Sequence, residues 1–326
     1  MDKIRVGIYG YGNIAKGVEK AIARNRDFSL EAVFTRRDPS KVRTASGVKV
    51  IPADKVLDYT DKIDVMLLCG GSATDLPIQG PELAGHFNTV DTFDTHAKIP
   101  EYLDAVNKQA ELNKKVAVIS VGWDPGLFSM MKALFASLLP DGTSQPFWGP
   151  GVSQGHSDAL RHVKGVKGAI QYTVPIEKVM NEVRNGSTKE YTARQKHKRV
   201  CYVVAEEGAD KNRIEKEIKE MPYYFSDYDV EVHFISSAEL EKEHSGMAHE
   251  GHVFRNGETG DAENYSMEFS MRFDSNPAFT ASIMMAFARA AFRLYKENSF
   301  GAKTVLDIPL SYLSGKGRKE LIKEML

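Results

Sequence analysis

Two aspartates, Asp94 and Asp124, are the residues of this 326-residue chain best placed to do chemistry. Each follows a short strand-like run, Thr89–Asp91 or Val116–Ser120, in turns that read Thr92-Phe93-Asp94-Thr95-His96 and Gly122-Trp123-Asp124-Pro125-Gly126. Runs of that length and β-branched content are expected to be buried strands. Open α/β sheets bind ligands at the carboxyl ends of their strands. Either aspartate alone is as well explained by a helix N-cap or a turn, which aspartate forms routinely. Two carboxylates at two strand ends suggest a cationic reacting group, because an amine must be held as ammonium and deprotonated before it can release hydride.

A hydride acceptor is implied at the amino end. Ile4-Arg5-Val6-Gly7-Ile8-Tyr9 is a strand-like run, and Gly10-Tyr11-Gly12-Asn13-Ile14-Ala15 follows it and opens a helical pattern. Strand, Gly-x-Gly-x-x-Ala and helix in that order make a dinucleotide-binding βαβ unit. Gly10 permits the tight turn, Gly12 lets a pyrophosphate approach the backbone, and Ala15 lets helix and strand lie close. The free N–H groups and positive dipole at the helix start favour phosphate. The second strand, Leu30–Phe34, runs into Thr35-Arg36-Arg37. An acidic residue near this point marks NAD, and arginine accommodates the 2′-phosphate of NADP. Two guanidiniums and a hydroxyl suit that dianion, so NADP is the expected cofactor.

Other constellations weigh less. Gly151-Val152-Ser153-Gln154-Gly155 matches Gly-x-Ser-x-Gly, but a nucleophile elbow needs a strand before the serine and a helix after it. Pro150 precedes the segment and a further loop is expected after it, so a ligand loop presenting Trp148 is the preferred reading. His244, His249 and His252 lack the helical spacing of a metalloprotease pair, and no metal site is expected. Lys189, Arg194, Lys196, Lys198 and Arg199 form one basic run, ordinarily a solvated face. Arg199 differs because it opens an apolar strand, where a guanidinium facing a cleft could clamp a carboxylate. Cys69 and Cys201 are the only cysteines, both in apolar runs, and are expected to be buried thiols.

These residues require a scaffold of alternating elements. Further strands are expected at Val48–Ile51, Val65–Cys69, Thr89–Asp91 and Val116–Ser120, with helices over Ile14–Arg24 and Tyr102–Leu112. The alternation predicts an α/β, Rossmann-type doubly wound sheet. The ends after Cys69, Asp91 and Ser120 should converge over the nicotinamide half of the cofactor. Beyond an apolar helix at Leu127–Leu139, strands are expected at Ala169–Val174, Arg199–Val204, Asp229–Ile235 and Tyr265–Phe273, giving one antiparallel or mixed sheet. A long helix at Pro277–Tyr295 is expected to return to the first domain. The expected division is 1–122 with 276–326 for a discontinuous dinucleotide-binding domain, and 123–275 for an α+β substrate-binding and dimerisation domain. With 43 basic and 44 acidic residues the net charge is −1, which offers no general attraction to nucleic acid or anionic membrane. No targeting segment or bilayer-spanning run is apparent, so a cytoplasmic protein is expected.

Five stretches together go beyond the generic. Gly10-Tyr11-Gly12-Asn13, Phe34-Thr35-Arg36-Arg37, Cys69-Gly70-Gly71-Ser72-Ala73-Thr74-Asp75, Ser120-Val121-Gly122-Trp123-Asp124-Pro125-Gly126 and Phe147-Trp148 through Gly155-His156-Ser157-Asp158 resemble the meso-diaminopimelate D-dehydrogenase family over essentially the whole chain. The resemblance implies a homodimer that carries out NADP-dependent, reversible oxidative deamination at the D-centre of meso-2,6-diaminopimelate. The products would be L-2-amino-6-oxopimelate and ammonia, in lysine and cell-wall precursor synthesis. It implies that Tyr11, Gly12, Asn13, Ile14, Thr35, Arg36, Arg37, Cys69, Gly70, Gly71 and Ser72 line the cofactor. Thr92, Phe93, Asp94, Val121, Gly122, Trp123, Asp124 and Pro125 would join them. Asp94, Asp124, Trp148, Gln154, Gly155, Thr173, Arg199, His249 and Asn276 would line the substrate. The chain departs from the family pattern at Ala15, at Met131-Lys132 and beside His249, where Ala248 and Glu250 replace an expected Pro and Gly. Two alternatives are a broad D-amino-acid dehydrogenase and a non-catalytic NADP-binding regulator, the latter needing neither Asp94 nor Asp124.

Overall fold

Strand β1, Ile4–Tyr9, buries Ile4, Val6 and Ile8, as a central parallel strand covered on both faces must. The computed structural model describes residues 3–260 and 263–326. β1 stops at Tyr9 because Gly10 turns to φ +89°. Helix α1, Asn13–Ile22, then buries Ala15, Val18 and Ala21 along one stripe. Next come β2 (Phe28–Thr35), β3 (Val50–Pro52), the wholly buried β4 (Val65–Leu68), α2 (Leu76–Ala84) and β5 (Asn88–Asp91). α3 (Ile99–Leu112) and β6 (Val116–Val118) follow. β6 is two residues shorter than its sequence suggests, because the chain reaches the left-handed conformation at Ser120, φ +57°. Helix α4 is Leu127–Leu138.

The chain divides into two units, one containing residues up to Met130 together with Pro277–Leu326 and the other Met131–Asn276. The second unit starts with β7 (Gly142–Trp148), β8 (Gly151–Val152), α5 (Gln154–Arg161) and β9 (Val166–Pro175). It continues through α6 (Glu177–Arg184), α7 (Ala193–Lys196), β10 (His197–Ala205), α8 (Lys211–Lys219) and β11 (Asp229–Phe234). α9 (Ser237–Glu243), β12 (His249–Glu258) and β13 (Asn264–Phe273) complete it.

Two sheets result where one was expected. The first is mixed, in the order β11-β10-β9-β8, with β10 and β11 parallel and the other pairs antiparallel. Cys201, Val203, Ile214, Ile218 and Phe225 make its core against α5 and α8. The second, β13-β12-β7, is antiparallel and packs Phe147 and Phe254 on Val183. β7 and β12 escape an apolar reading because polar side chains fill their buried positions. Arg255 donates to the carbonyls of Leu139 and Pro140 at 2.6 and 2.8 Å, and Asn256 to those of Val183 and Ser187 at 2.7 and 2.8 Å. Buried polar groups bonded this way cost little, and they carry no hydrophobic period.

Past the second unit, α10 (Asn276–Lys296), β14 (Gly301–Lys303) and two short helices, α11 (Leu310–Leu313) and α12 (Arg318–Met325), complete the first. α10 lies so close to α1 that a Cβ on Gly17 would stand 2.9 Å from the Ala281 Cβ. Arg289 ties α10 to Asp27 through a 2.6 Å ion pair. β14 pairs in parallel with β6, giving a seven-stranded sheet ordered β14-β6-β5-β4-β1-β2-β3, parallel throughout. Strand order reverses between β1 and β4, and the crevice outside the carboxyl ends at such a switch point is where open sheets bind ligands. Among the described residues no helix is long and apolar enough to cross a membrane.

Candidate active site

At the switch point the glycine turn is fixed from both sides. Gly10 N–H donates to the Phe34 carbonyl at 2.9 Å, and Cys69 N–H donates to the Tyr9 carbonyl at 2.8 Å. A Cβ on Gly10 would stand 3.3 Å from the Cys69 carbonyl carbon, so φ and proximity both demand glycine there. Gly12 faces open space, with nothing within 4 Å of where a Cβ would lie. It precedes Asn13 and Ile14, whose amides begin α1.

The residues after β2 come to the same turn. Arg37 N–H donates to the buried Thr35 Oγ1 at 3.1 Å, and the Arg37 guanidinium donates to the Tyr11 carbonyl. Arg36 pairs with Asp75 at 2.6 Å, its side chain 65% exposed and able to turn to a ligand. Asp75 also accepts from Gly71 N–H at 2.9 Å, and that bond, helped by Arg36, holds its carboxyl below the usual range. Tyr11 donates its hydroxyl to buried Glu19, and burial with that bond pushes the phenol up to about 12. A glycine with clear space above it, free helix-start amides and two guanidiniums fit a dinucleotide carrying a 2′-phosphate.

β4, β5 and β6 are neighbours, so the turns after them share one edge of the sheet. Ser72 Oγ accepts from Asp94 N–H at 2.8 Å, joining the Cys69–Ser72 turn to the Thr92–Asp94 turn. Asp94 is exposed and Asp124 half-buried. The Asp124 turn closes through Leu127 N–H to the Gly122 carbonyl at 3.0 Å and Phe128 N–H to the Trp123 carbonyl at 2.8 Å. Trp123 meets Phe128 edge-on at 5.4 Å. The Cys69 thiol is pushed up to about 12 by burial, which keeps it protonated and unreactive.

In the second unit, strand register gathers residues that lie far apart in sequence. Thr173 on β9 stands opposite both Arg199 on β10 and Gly151 on β8. Arg199 is buried, donates to Thr173 Oγ1 and lies 3.9 Å over the Tyr228 ring, while its Nε makes no hydrogen bond. A buried guanidinium with an unused donor is suited to an anion. Gly151 leaves room for the His249 ring, only 2.2 Å from where its Cβ would be. His249 Nδ1 donates to the Glu250 carbonyl at 2.6 Å, and the ring stacks on Phe273 and is pushed below its ordinary pKa by burial. Asn276 N–H donates to the Met247 carbonyl at 2.9 Å, two residues before His249. Trp148 ends β7 and Gln154 and Gly155 begin α5, both of the latter exposed.

Three local expectations are corrected. Trp148 and His249 lie on strands, where loops were expected. Ser153 is flanked by β8 and α5, so the strand and helix thought to be missing are present. The serine still lacks an elbow's strain, having ordinary extended geometry at φ −93°, ψ 113° after a two-residue strand. Its Oγ lies 2.7 Å from His156 Nδ1, and burial and the charge of Arg199 press that imidazole down to about 4. The histidines scatter: His244 stacks on Tyr202 at 3.9 Å, and His252 lies 2.8 Å from Ser270 Oγ. Cys201 is buried, whereas Cys69 is partly exposed as a residue although its thiol is turned inside. Tyr228 and His197 were not singled out by sequence, since aromatic and histidine side chains in strand-rich segments usually signal packing.

A seven-stranded parallel sheet with a glycine turn at its switch point, arginines after β2 and carboxylates after β5 and β6 is the build of a Rossmann-type, dinucleotide-dependent oxidoreductase. The chain belongs to the meso-diaminopimelate D-dehydrogenase family, as full-length likenesses show. It is 56% identical over 326 residues to the meso-diaminopimelate D-dehydrogenase of Ureibacillus thermosphaericus, covering 100% of both chains. It superposes with TM-score 0.95 and 50% identity on a multiply substituted meso-dapdh of Clostridium tetani E88 crystallised with DAP, over 99% of this chain and 100% of that one. An engineered D-amino acid dehydrogenase bound to NADP+ gives TM-score 0.89 and 42% identity over 99% and 100%. The family model for the diaminopimelic acid dehydrogenase C-terminal domain matches residues 122–275.

Proposed function

We propose that this chain catalyses the NADP-dependent, reversible oxidative deamination of meso-2,6-diaminopimelate at its D-centre, giving L-2-amino-6-oxopimelate, ammonia, NADPH and a proton with uptake of water. The observation that carries the reading is the pair Asp94 and Asp124 at adjacent strand ends of a sheet whose β2 ends in Thr35-Arg36-Arg37. NADP, when bound, supplies the hydride acceptor. Arg36 and Arg37 would take its 2′-phosphate, and the turns at Gly10–Ile14, Cys69–Ser72, Thr92–Asp94 and Val121–Pro125 would line it. Asp94 and Asp124 would hold the D-centre ammonium and receive its proton, a task for which carboxylates serve as general bases.

Thr173, Arg199, His249 and Asn276 would hold the distant L-centre, with Arg199 on its carboxylate. Gln154 and Gly155 would add polar contacts and Trp148 an apolar wall for the methylene chain. Support comes from the Clostridium tetani variant, which is substituted at a Gln, Thr, Arg, His and Asn numbered as Gln154, Thr173, Arg199, His249 and Asn276 are here. Its sixth substitution replaces a proline, and the residue of that number here is Ala248. That difference, beside His249, favours a second reading in which simple D-amino acids are also accepted.

Residues 123–275 would then form the substrate and dimerisation domain of a cytoplasmic homodimer that needs neither nucleic acid nor membrane. The deciding experiment follows NADPH formation with meso-diaminopimelate, its LL isomer and simple D-amino acids, with NAD as control. Turnover of the meso isomer with NADP is expected. No turnover with any substrate overturns the enzyme reading, and comparable rates on simple D-amino acids overturn strict specificity.

A further inference from the structure

Asp91 is the last residue of β5 and only 1% exposed, a carboxylate at the end of a wholly buried strand. Its Oδ1 accepts two backbone bonds, from Phe93 N–H at 3.0 Å and from Ser120 N–H at 3.0 Å. Its main-chain carbonyl accepts from Val121 N–H at 2.8 Å. Its Oδ2 accepts from the Tyr102 hydroxyl at 2.8 Å. That hydroxyl occupies space available only because residue 80 is glycine, where a Cβ would stand 1.9 Å from it.

These bonds lie where the sheet gives out. The β5–β6 ladder pairs Thr89 with Ala117 and Val90 with Val118. Beyond Val118 the chain diverges, and Ser120 takes a positive φ of 57° that costs a side-chain-bearing residue strain. The Ser120 hydroxyl is buried and makes no hydrogen bond, so its N–H to Asp91 is the polar tie that holds it. Phe93 immediately precedes Asp94, and Ser120 begins the segment that reaches Asp124. One carboxylate oxygen thus bridges the two turns that carry the aspartates.

We propose that Asp91 is a positioning residue for the reaction, setting the separation of Asp94 and Asp124 through the Phe93 and Ser120 amides. A core ion kept only for stability would not need one oxygen shared between the two functional turns. The inference rests on the assignment of Asp94 and Asp124 to the reacting amine. Burial raises Asp91 to about 6, and the two backbone bonds and the tyrosine bond oppose that rise, so the ionised acceptor persists at neutral pH.

The test combines amide hydrogen exchange, NADP binding by fluorescence and steady-state kinetics on Asp91→Ala, Asp91→Ser and Asp91→Asn. Asparagine keeps an Oδ1 for both N–H groups and can donate to the Tyr102 oxygen. Serine is one bond too short to span both turns, and it replaces the alanine variant if that does not fold. With alanine or serine, exchange at Phe93 and Ser120 is expected to quicken and kcat to fall about 100-fold, the cost of an ångström-scale misplacement. NADP affinity is expected to change far less than kcat, since its phosphate-binding residues lie in the turns after β1 and β2. Asparagine is expected to restore both exchange and kcat. Unchanged exchange at the two amides, unchanged kcat with alanine or serine, or asparagine as slow as alanine each overturn the proposal. Undiminished kcat in Asp94→Asn and Asp124→Asn would instead overturn the assignment on which it rests.

Discussion

The backbone N–H of Trp148 donates to Nε2 of His197 at 3.0 Å, and the imidazole is buried beside Phe147 and Trp148. Accepting through Nε2 places the proton on Nδ1 and leaves the ring neutral. Burial first, then the charges of Lys196 and Arg199, press its pKa from 6.5 down to about 3. Above pH 6.5 the ring is neutral folded and unfolded alike. Below that, only the unfolded chain takes up a proton, and stability falls by about 1.4 kcal/mol per pH unit until the folded value is reached. His156, at about 4, acts in the same sense. Asp91 acts oppositely between 3.8 and about 6, because the folded state keeps a proton that the unfolded chain has released. His197→Gln offers an oxygen to the same N–H without titrating. Its melting temperature is expected to fall less steeply than the parent's between pH 6.5 and 4.5. Parallel slopes in thermal melts across that range would show that His197 is not the neutral acceptor.

The first unit is the more legible part of this chain because strands such as β4 and β6 are apolar on both faces. Val65–Leu68 is fully buried, and such a run has few alternatives to a central strand. The turns at Gly10 and Arg36 follow from their order along the chain. In the second unit, β12 carries His249, Arg255 and Asn256 buried by hydrogen bonds, and no apolar period announces it. The pairing of Thr173 with Arg199 depends on strand register across a separation of 26 positions. Asp91 reads as one polar letter at the end of a strand, and its three donors come from sites two, eleven and twenty-nine residues away. Local pattern reports burial and turns well; it does not report which distant donors meet a buried charge.

Arg199 and Tyr228 give a second prediction. The guanidinium lies 3.9 Å over the tyrosine ring and is also bonded to Thr173. Arg199→Ala is expected to raise KM for meso-diaminopimelate about 100-fold, the loss of a strong charge-assisted contact of about 3 kcal/mol. Tyr228→Leu removes the ring face and the hydroxyl, and an increase of about tenfold or less is expected. Tyr228→Phe should lie near the parent. KM for NADP serves as the control, and a parallel rise there would assign these residues to folding instead of substrate recognition.

The two arginines after β2 should not behave alike. Arg36 pairs with Asp75 and is largely exposed, whereas Arg37 holds the Tyr11 carbonyl of the glycine turn. Arg36→Ala is expected to raise KM for NADP about tenfold and leave NAD use unchanged, as one charge-assisted bond to phosphate is lost. Arg37→Ala is expected to impair NADP and, less severely, NAD, because the turn that serves both loses a tie. Initial rates with the two cofactors separate these outcomes. Equal loss with both in Arg36→Ala would remove Arg36 from the 2′-phosphate.

Gly126 sets the turn that carries Asp124, and it tolerates no side chain. Its φ is +133°, outside the range that L residues adopt, and a Cβ would stand 1.6 Å from the Gly122 carbonyl oxygen. That oxygen accepts from Leu127 N–H at 3.0 Å, the bond that starts α4. Alanine therefore forces the turn open at the point where it closes, displacing Asp124 two residues earlier. Gly126→Ala is expected to cost about 1–3 kcal/mol of stability through backbone strain. It is also expected to lower kcat about 100-fold if Asp124 must sit within an ångström of its working place. Gly47→Ala is the comparison: φ is +73° there too, but nothing lies within 4 Å of the added carbon. That variant should lose stability alone. Denaturant unfolding and kcat measured on both separate strain, which they share, from displacement of the carboxylate, which only Gly126→Ala produces.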